Sequence, residues 1–131
     1  MKKIFLGGTC PGWDWRKELI KLLKINYYNP IVPCWNETVK KIELEERENC
    51  DYCLYVITPY MRGVYSIAEV IDDSNKRPEK TIFCFLDDIK NNKIFDNKQK
   101  NSLIEVGKMV ERNGGKYLKS LQEIAEFVNI N

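Results

Sequence analysis

The pattern of apolar and polar residues predicts five strands separated by helices. The predicted strands span residues 3–6, 28–32, 51–58, 81–86 and 116–119. The runs 51–58 and 81–86 are apolar on both alternating faces, which is typical of strands covered on both sides of a sheet. Pro30 cannot donate a backbone hydrogen bond, so the strand around it is expected at a sheet edge.

Apolar residues between these strands recur with helical spacing. Helices are predicted over residues 14–23, 36–50, 66–76 and 121–128. A further helix is predicted to run through residues 103–110. Asp14 has a side chain suited to an N-cap. The Lys- and Asn-rich stretch 87–101 is interpreted as an exposed insertion or an irregular helix start.

Alternating strands and helices predict an α/β fold with an open parallel sheet of about five strands and helices on both faces, Rossmann-like or flavodoxin-like. The length of 131 residues fits a single domain over 1–131. Ligands bind such sheets outside the carboxyl ends of the strands, where strand order reverses. We therefore expect the site to be built from the loops 7–13, 59–65 and 87 onward.

Composition narrows the range of functions. Twenty-one Lys and Arg against nineteen Asp and Glu leave a net charge of +2, which argues against binding of a nucleic-acid polymer. No apolar run approaches the roughly 20 residues of a membrane span, so we expect a soluble, cytoplasmic protein. The chain has no histidine, which excludes Ser-His-Asp and Cys-His relays and His-ligated zinc within the chain. We expect no metal and no cofactor, and acid–base chemistry by carboxylates, Tyr, Lys or Cys.

Glu69 is the strongest candidate for a catalytic group, although it also fits a structural role. Ser66 and Glu69 have the spacing of a capping box, in which the Glu side chain returns to the helix start. Alternatively, Glu69 lies near the mouth of the predicted cleft. There the helix dipole favours a negative charge, so we expect Glu69 to stay ionised. An ionised carboxylate can act as a nucleophile towards a sugar carbon.

A general acid would have to come from a second carboxylate. Four glutamates crowd the helix before the third strand: Glu43, Glu45, Glu46 and Glu48. Like charges this close are expected to raise at least one pKa, although a solvated helix face is the common explanation of such a run. We interpret Trp15 as core, and Trp13 and Trp35 as possible walls of a pocket for a planar base.

Two further motifs carry weaker signals. Gly7, Gly8 and Thr9 form either a turn with positive φ or a backbone surface for a ligand, without the spacing of a nucleotide-binding fingerprint. Cys50 and Cys53 form a CxxC pair, which we interpret mainly as two buried thiols. A thiol-based function for them is left as an alternative.

Taken together, several motifs resemble those of the nucleoside 2-deoxyribosyltransferase-like proteins. They are the first strand ending in IFLGGT, Trp15-Arg16 at a helix start, Glu43 eight residues before Asp51, a strand ending in ITP, and a Glu following Gly63-Val64-Tyr65-Ser66. The resemblance spans residues 3–73. It implies cleavage of the N-glycosidic bond of a deoxynucleoside or deoxynucleotide through a covalent deoxyribosyl-glutamate, with transfer to another base or to water.

The resemblance also implies roles for individual residues. Glu69 matches the nucleophile and Glu43 the assisting acid. By the resemblance, Gly7, Gly8 and Thr9 line the site, Arg16 is either structural or pocket-lining, and Asp51 has a positioning role. We expect Trp13, Tyr60 and Gly63 to contact substrate as well. A homodimer or larger homo-oligomer is also implied. The alternative function is a non-catalytic module that binds a nucleoside or nucleotide on the same fold.

Overall fold

The computed structural model describes residues 1–10 and 12–130 and contains one five-stranded, all-parallel sheet in the order β2-β1-β3-β4-β5. The strands are β1 Lys3–Gly8, β2 Asn26–Tyr28, β3 Tyr52–Ile57, β4 Thr81–Phe85 and β5 Lys116–Tyr117. The helices are α1 Trp15–Ile20, α2 Glu37–Asn49, α3 Tyr65–Lys76, α4 Asn97–Arg112 and α5 Leu121–Ile130. Short 3-10 turns cover Pro78–Lys80 and Ile89–Asn91. The predicted α/β fold is confirmed.

The core consists of two apolar layers, one on each face of the sheet. On one face, Trp15 of α1 and Ile124 of α5 pack with Leu54 and Val56 of β3. On the other face, apolar residues of α3 and α4 pack with the alternate residues of β3, among them Tyr55. Every residue of β3 is buried, as its continuous apolar run predicts.

The structure corrects the expected start of the first loop. Gly7 and Gly8 belong to β1, and the loop begins at Thr9. The place of a Gly7 side chain is occupied by the ring of Tyr55, 2.7 Å from an ideal Cβ. Gly8 has φ +124° and its Cβ would collide with the backbone of Val56. Both glycines are therefore required by the close packing of β1 against β3.

Other boundaries differ from the prediction in ways that local chemistry explains. The second strand ends at Tyr28, before Pro30, and it does lie at the sheet edge. α1 ends at Ile20, and Leu22 beyond it is exposed. The polar stretch after β4 leads into α4 through a capping box between Asp96 and Gln99.

The order of the strands places the loops after β1 and β3 side by side, because strand order reverses between these two strands. Thr9 joins the loops: its Oγ1 accepts a hydrogen bond from the Thr58 backbone N–H at 2.9 Å, and its own N–H donates to the Val56 carbonyl. None of the helices in residues 1–10 and 12–130 has the length and apolar character needed to cross a bilayer.

Candidate active site

A cleft of about 400 Å³ lies between α2 and α3. We call it the α2–α3 cleft, and it is lined by Trp35, Lys40, Glu43, Leu44, Arg47, Tyr65 and Glu69. A smaller hollow of about 160 Å³ lies at the carboxyl ends of β1 and β3, and Tyr65 lines both spaces. The strand-end hollow was expected from the fold, whereas a cleft between these two helices was not.

Glu69 faces this cleft and does not cap its own helix. Helix α3 begins at Tyr65 with Val64 as N-cap, and no side chain donates or accepts a capping hydrogen bond there. Glu69 Oε2 instead accepts a hydrogen bond from Arg47 Nη1 at 3.3 Å, and its side chain is 15% exposed. The capping-box interpretation of Ser66 and Glu69 is therefore wrong.

The protonation of Glu69 also differs from the expectation. Burial raises the pKa of its carboxyl from the ordinary 4.5 to about 7, against the lowering effect of Arg47, while Glu43, Asp73 and Asp72 raise it further. Glu69 is the fifth residue of α3, beyond the first turn where the helix dipole acts. Desolvation therefore outweighs the dipole, and the expectation of a fully ionised Glu69 is wrong.

Glu43 reaches the same cleft from α2. Burial raises the pKa of its carboxyl, while a hydrogen bond from Trp35 and the charge of Arg47 lower it. The neighbouring glutamates do not produce this shift: Glu45 is exposed, and Glu46 pairs with Lys3 Nζ at 2.9 Å. A carboxyl with a raised pKa is thus present as expected, but burial raises it rather than crowding by neighbouring glutamates.

The cleft contains two carboxylates whose charges interact, beside an aromatic side chain. Residues 1–89, which include β1 to β4 and both glutamates, match the family model described as "Nucleoside 2-deoxyribosyltransferase like". The chain belongs to this family. Comparison with curated proteins and with solved structures gave no match.

Three residues of the family resemblance lie in the strand-end hollow rather than in the α2–α3 cleft. Gly8, Thr9 and Gly63 line this hollow, and nothing lies within 4 Å of an ideal Cβ on Gly63. Gly7 is packed under Tyr55 and lines neither space. Tyr65 is the one residue shared by the linings of the hollow and the cleft, so the other residues of the hollow do not line the space that Glu69 faces.

Arg16, of the family's Trp-Arg pair, is buried and bound to backbone. Its guanidinium donates to the carbonyls of Leu6, Gly8 and Thr9 at 2.8, 3.1 and 2.9 Å. These bonds fix the path of the chain at the end of β1. The geometry therefore favours a role in shaping the loop over direct contact with a ligand in the cleft.

The remaining predicted contacts lie elsewhere. Asp51 is at the amino end of β3, where its side chain accepts from the Lys3 N–H at 2.9 Å. Trp13 donates through its indole N–H to Glu18. Tyr60 donates to Asp88 at 2.7 Å and so joins the loops after β3 and β4. The α2–α3 cleft brings Glu43, Glu69 and Trp35 together. Asp51, Trp13 and Tyr60 do not line this cleft.

Arg47 is the site residue that the sequence pattern did not reveal. Its buried guanidinium contacts Glu69, Asp72 and Asp73 across the gap between α2 and α3. A usable signal was present: Arg47 follows Glu43 by four residues, and Asp73 follows Glu69 by four. Residues four apart share a helix face, so each helix presents two charged groups to one side.

A thiol-based function finds no support in the structure. Cys50 and Cys53 are buried, and burial raises the pKa of each thiol to about 12. All five cysteines are free. In the part of the chain that is described, no group of three or more Cys, Asp or Glu side chains is arranged to hold a metal ion.

Proposed function

We propose that this protein cleaves the N-glycosidic bond of a deoxynucleoside or deoxynucleotide through a covalent deoxyribosyl intermediate on Glu69. The sugar then passes to another base or to water. The observation that carries the proposal is the position of Glu69: its carboxyl is turned into a cleft that also holds Glu43, instead of returning to its own helix. Membership of the nucleoside 2-deoxyribosyltransferase-like family supports the same chemistry.

The reaction follows from two carboxyl groups with different tasks. The ionised Glu69 attacks C1 of the pentose as the bond to the base nitrogen breaks, and the bonding electrons leave with the base. Protonated Glu43 donates its proton to that nitrogen. In the second step, ionised Glu43 takes a proton from the incoming base or water, which attacks C1 and releases Glu69. Two displacements retain the configuration at C1.

The working form of the pair carries one proton. Burial and the charge of Glu43 raise the pKa of Glu69 to about 7, so the resting pair keeps its proton mainly on Glu69, and the reacting form, with the proton on Glu43, is the less populated one. Titration steps of such a pair belong to both groups together. With a pKa of about 7 for Glu69, the nucleophile is partly ionised at neutral pH, and its desolvated carboxylate needs little further loss of water to react.

The cleft has the size and lining expected for a nucleoside. Its volume of about 400 Å³ is within the range of small-molecule sites. Trp35 is 58% exposed at the cleft wall, so its ring is free to stack on a base. Base stacking on an aromatic side chain tolerates different bases, which fits a transferase that exchanges one base for another.

The test is product formation and capture of the intermediate. The protein is incubated with deoxynucleosides or deoxynucleotides, with and without a free acceptor base, and products are separated by chromatography. A 2-fluoro sugar analogue should add one sugar mass to the peptide that contains Glu69. Glu69→Gln should abolish turnover, while Glu45→Gln, on the exposed side of α2, should not. Binding without any product would instead establish the non-catalytic binding module.

We also propose a homodimer or larger homo-oligomer, because the rim of the α2–α3 cleft is apolar and open. Four large apolar side chains around it are exposed: Trp35, Leu44, Val64 and Tyr65. Three of them line the cleft and Val64 precedes Tyr65 in the chain, and large exposed apolar side chains grouped in this way are typical of interfaces. Light scattering coupled to size-exclusion chromatography should give a mass of at least twice 15.5 kDa, and Val64→Glu should lower it. A monomer at all concentrations would contradict this proposal.

A further inference from the structure

Arg47 forms the only charged link, among the described residues, between α2 and the carboxyl of Glu69. Its side chain is 5% exposed and extends from α2 to α3. Nε and Nη2 donate to Asp73 Oδ2 and Oδ1 at 3.3 and 2.9 Å, and Nη1 donates to Glu69 Oε2 at 3.3 Å. Nε and Nη2 thus bind the buried carboxylate of Asp73, which we call the anchor of Arg47, while Nη1 binds Glu69, the proposed nucleophile.

The anchor itself is fixed. Asp73 is fully buried, and it also accepts hydrogen bonds from the Tyr55 hydroxyl and from Arg77 Nε, the latter at 3.2 Å. A guanidinium bound through two nitrogens to one carboxylate has its plane set by that carboxylate. The third nitrogen of Arg47 is therefore held at a constant position relative to α3.

The contact with Glu69 is one-sided. Among the described residues, Oε2 is the only oxygen of Glu69 that accepts a hydrogen bond, and Arg47 supplies it. Oε1 is left for the cleft. A nucleophile with one oxygen held and the other directed at the substrate is the arrangement that near-attack geometry requires.

We propose that Arg47 is a positioning residue for the reaction of Glu69, held in place by Asp73 and leaving Oε1 free to reach the sugar. This inference rests on the proposed function. It assigns Arg47 no contact with substrate. The competing explanation is purely structural: a buried ion pair that joins α2 to α3 and whose loss affects stability alone.

The charged and titratable groups around Glu69 come from three elements. They are Lys40, Glu43 and Arg47 of α2, Tyr65, Asp72 and Asp73 of α3, and Tyr55 of β3. Of the groups that shift the pKa of Glu69, Arg47 lowers it and the carboxylates raise it. Removal of the Arg47 charge therefore has a predictable sign: the pKa of Glu69 should rise.

Two substitutions separate charge from position. Arg47→Lys keeps the positive charge but replaces the planar fork by a single ammonium, which cannot hold Asp73 and Glu69 in the same fixed geometry. We expect kcat to fall by about ten- to a hundredfold with little change in KM. Arg47→Gln removes the charge, while Asp73 keeps Arg77 and Tyr55 as partners. We expect the titration midpoint of Glu69 to rise by about one to three pH units.

The measurements are steady-state kinetics with a deoxynucleoside and carbon-13 NMR titration of the Glu69 carboxyl, assigned with Glu69→Gln. Lys3→Gln is the matched control, because it removes another α2 ion pair, with Glu46, outside the cleft. It should change neither kcat nor the midpoint. If Arg47→Gln does not fold, Arg47→Lys decides alone.

Each result supports or overturns the inference. A kcat within about twofold of the wild type in folded Arg47→Lys would overturn it, and so would an unchanged Glu69 midpoint in Arg47→Gln. If the wild type turns over neither deoxynucleosides nor deoxynucleotides, the proposed function and the positioning role of Arg47 both fail. The NMR midpoint would then show separately whether the contact with Glu69 exists in solution.

Discussion

Replacement of Glu69 by Gln should make the protein more stable at pH 8. In the folded protein, burial raises the pKa of this carboxyl from 4.5 to about 7. Between these values the folded state binds more protons than the unfolded state. The stability that protonated Glu69 contributes is therefore complete below about pH 4.5 and is lost as pH rises through about 7. Gln resembles the protonated form at every pH.

The size of the gain follows from the same shift. A rise from 4.5 to about 7 corresponds to a penalty of about 3 kcal/mol once Glu69 is ionised. The side chain is 15% exposed, so little of this is screened by solvent. We expect Glu69→Gln to raise the free energy of unfolding by about 2 to 3 kcal/mol at pH 8 and by less than about 0.5 kcal/mol at pH 4.5.

Urea denaturation followed by circular dichroism at several pH values measures this difference. Glu45→Gln serves as control, since Glu45 is exposed on α2 and its replacement should change stability by less than about 0.5 kcal/mol at any pH. A Glu69→Gln protein that is less stable than wild type at pH 8, or a difference that does not vary with pH, would refute the reasoning. The ion pair with Arg47 would then outweigh the cost of burial.

Three further predictions concern activity and packing. In a plot of kcat/KM against pH, activity should fall as the pair loses its one proton, with a midpoint near 7, and activity that stays constant through pH 7 would contradict the one-proton mechanism. Trp35→Ala should raise KM for deoxynucleosides by about five- to a hundredfold, because the base loses its stacking partner. Trp13 lies outside the cleft, so Trp13→Ala should leave KM unchanged. Equal effects of the two substitutions would contradict stacking of the base on Trp35. Gly8→Ala should lower the free energy of unfolding by about 2 kcal/mol or more, because φ is +124° and the added Cβ would meet the backbone of β3. Gly63→Ala, where a Cβ meets nothing within 4 Å, should cost less than about 0.5 kcal/mol. Thermal denaturation measures both changes, and equal losses would refute the packing argument.

The fold was predictable because it follows from local patterns. Continuous apolar runs mark β3 and β4 as central strands, and Pro30 restricts the second strand to an edge. The assignment of Gly7 and Gly8 to a loop failed because glycine in a strand end and glycine in a turn look alike in sequence. Only the packed ring of Tyr55 and the backbone of Val56 distinguish them.

The site was predictable only in part, because its decisive contacts join two helices. Glu43 and Glu69 could be identified by their spacing to other motifs, but nothing local indicates that α2 and α3 present them to one cleft. Arg47 was overlooked for the same reason. In a helix rich in glutamate, the sequence alone indicates that Arg47 is one more exposed charged residue. Its burial is explained only by the position of Asp73 on α3, which pairs with it.

The surroundings of Glu69, above all its burial, oppose its ionisation, whereas its carboxylate favours the transition state of the proposed reaction. Burial and three carboxylates, Glu43, Asp72 and Asp73, raise its pKa, against the single guanidinium of Arg47. In the proposed reaction, the carboxylates of Glu43 and Glu69 act on a sugar that becomes positively charged at C1 as the base departs. Interactions that strengthen only as charge develops accelerate the chemical step, whereas their cost falls on the resting protein. If the proposed reaction is correct, the raised pKa of Glu69 is the cost, in the resting protein, of a buried carboxylate that stabilises a cation only as the reaction proceeds.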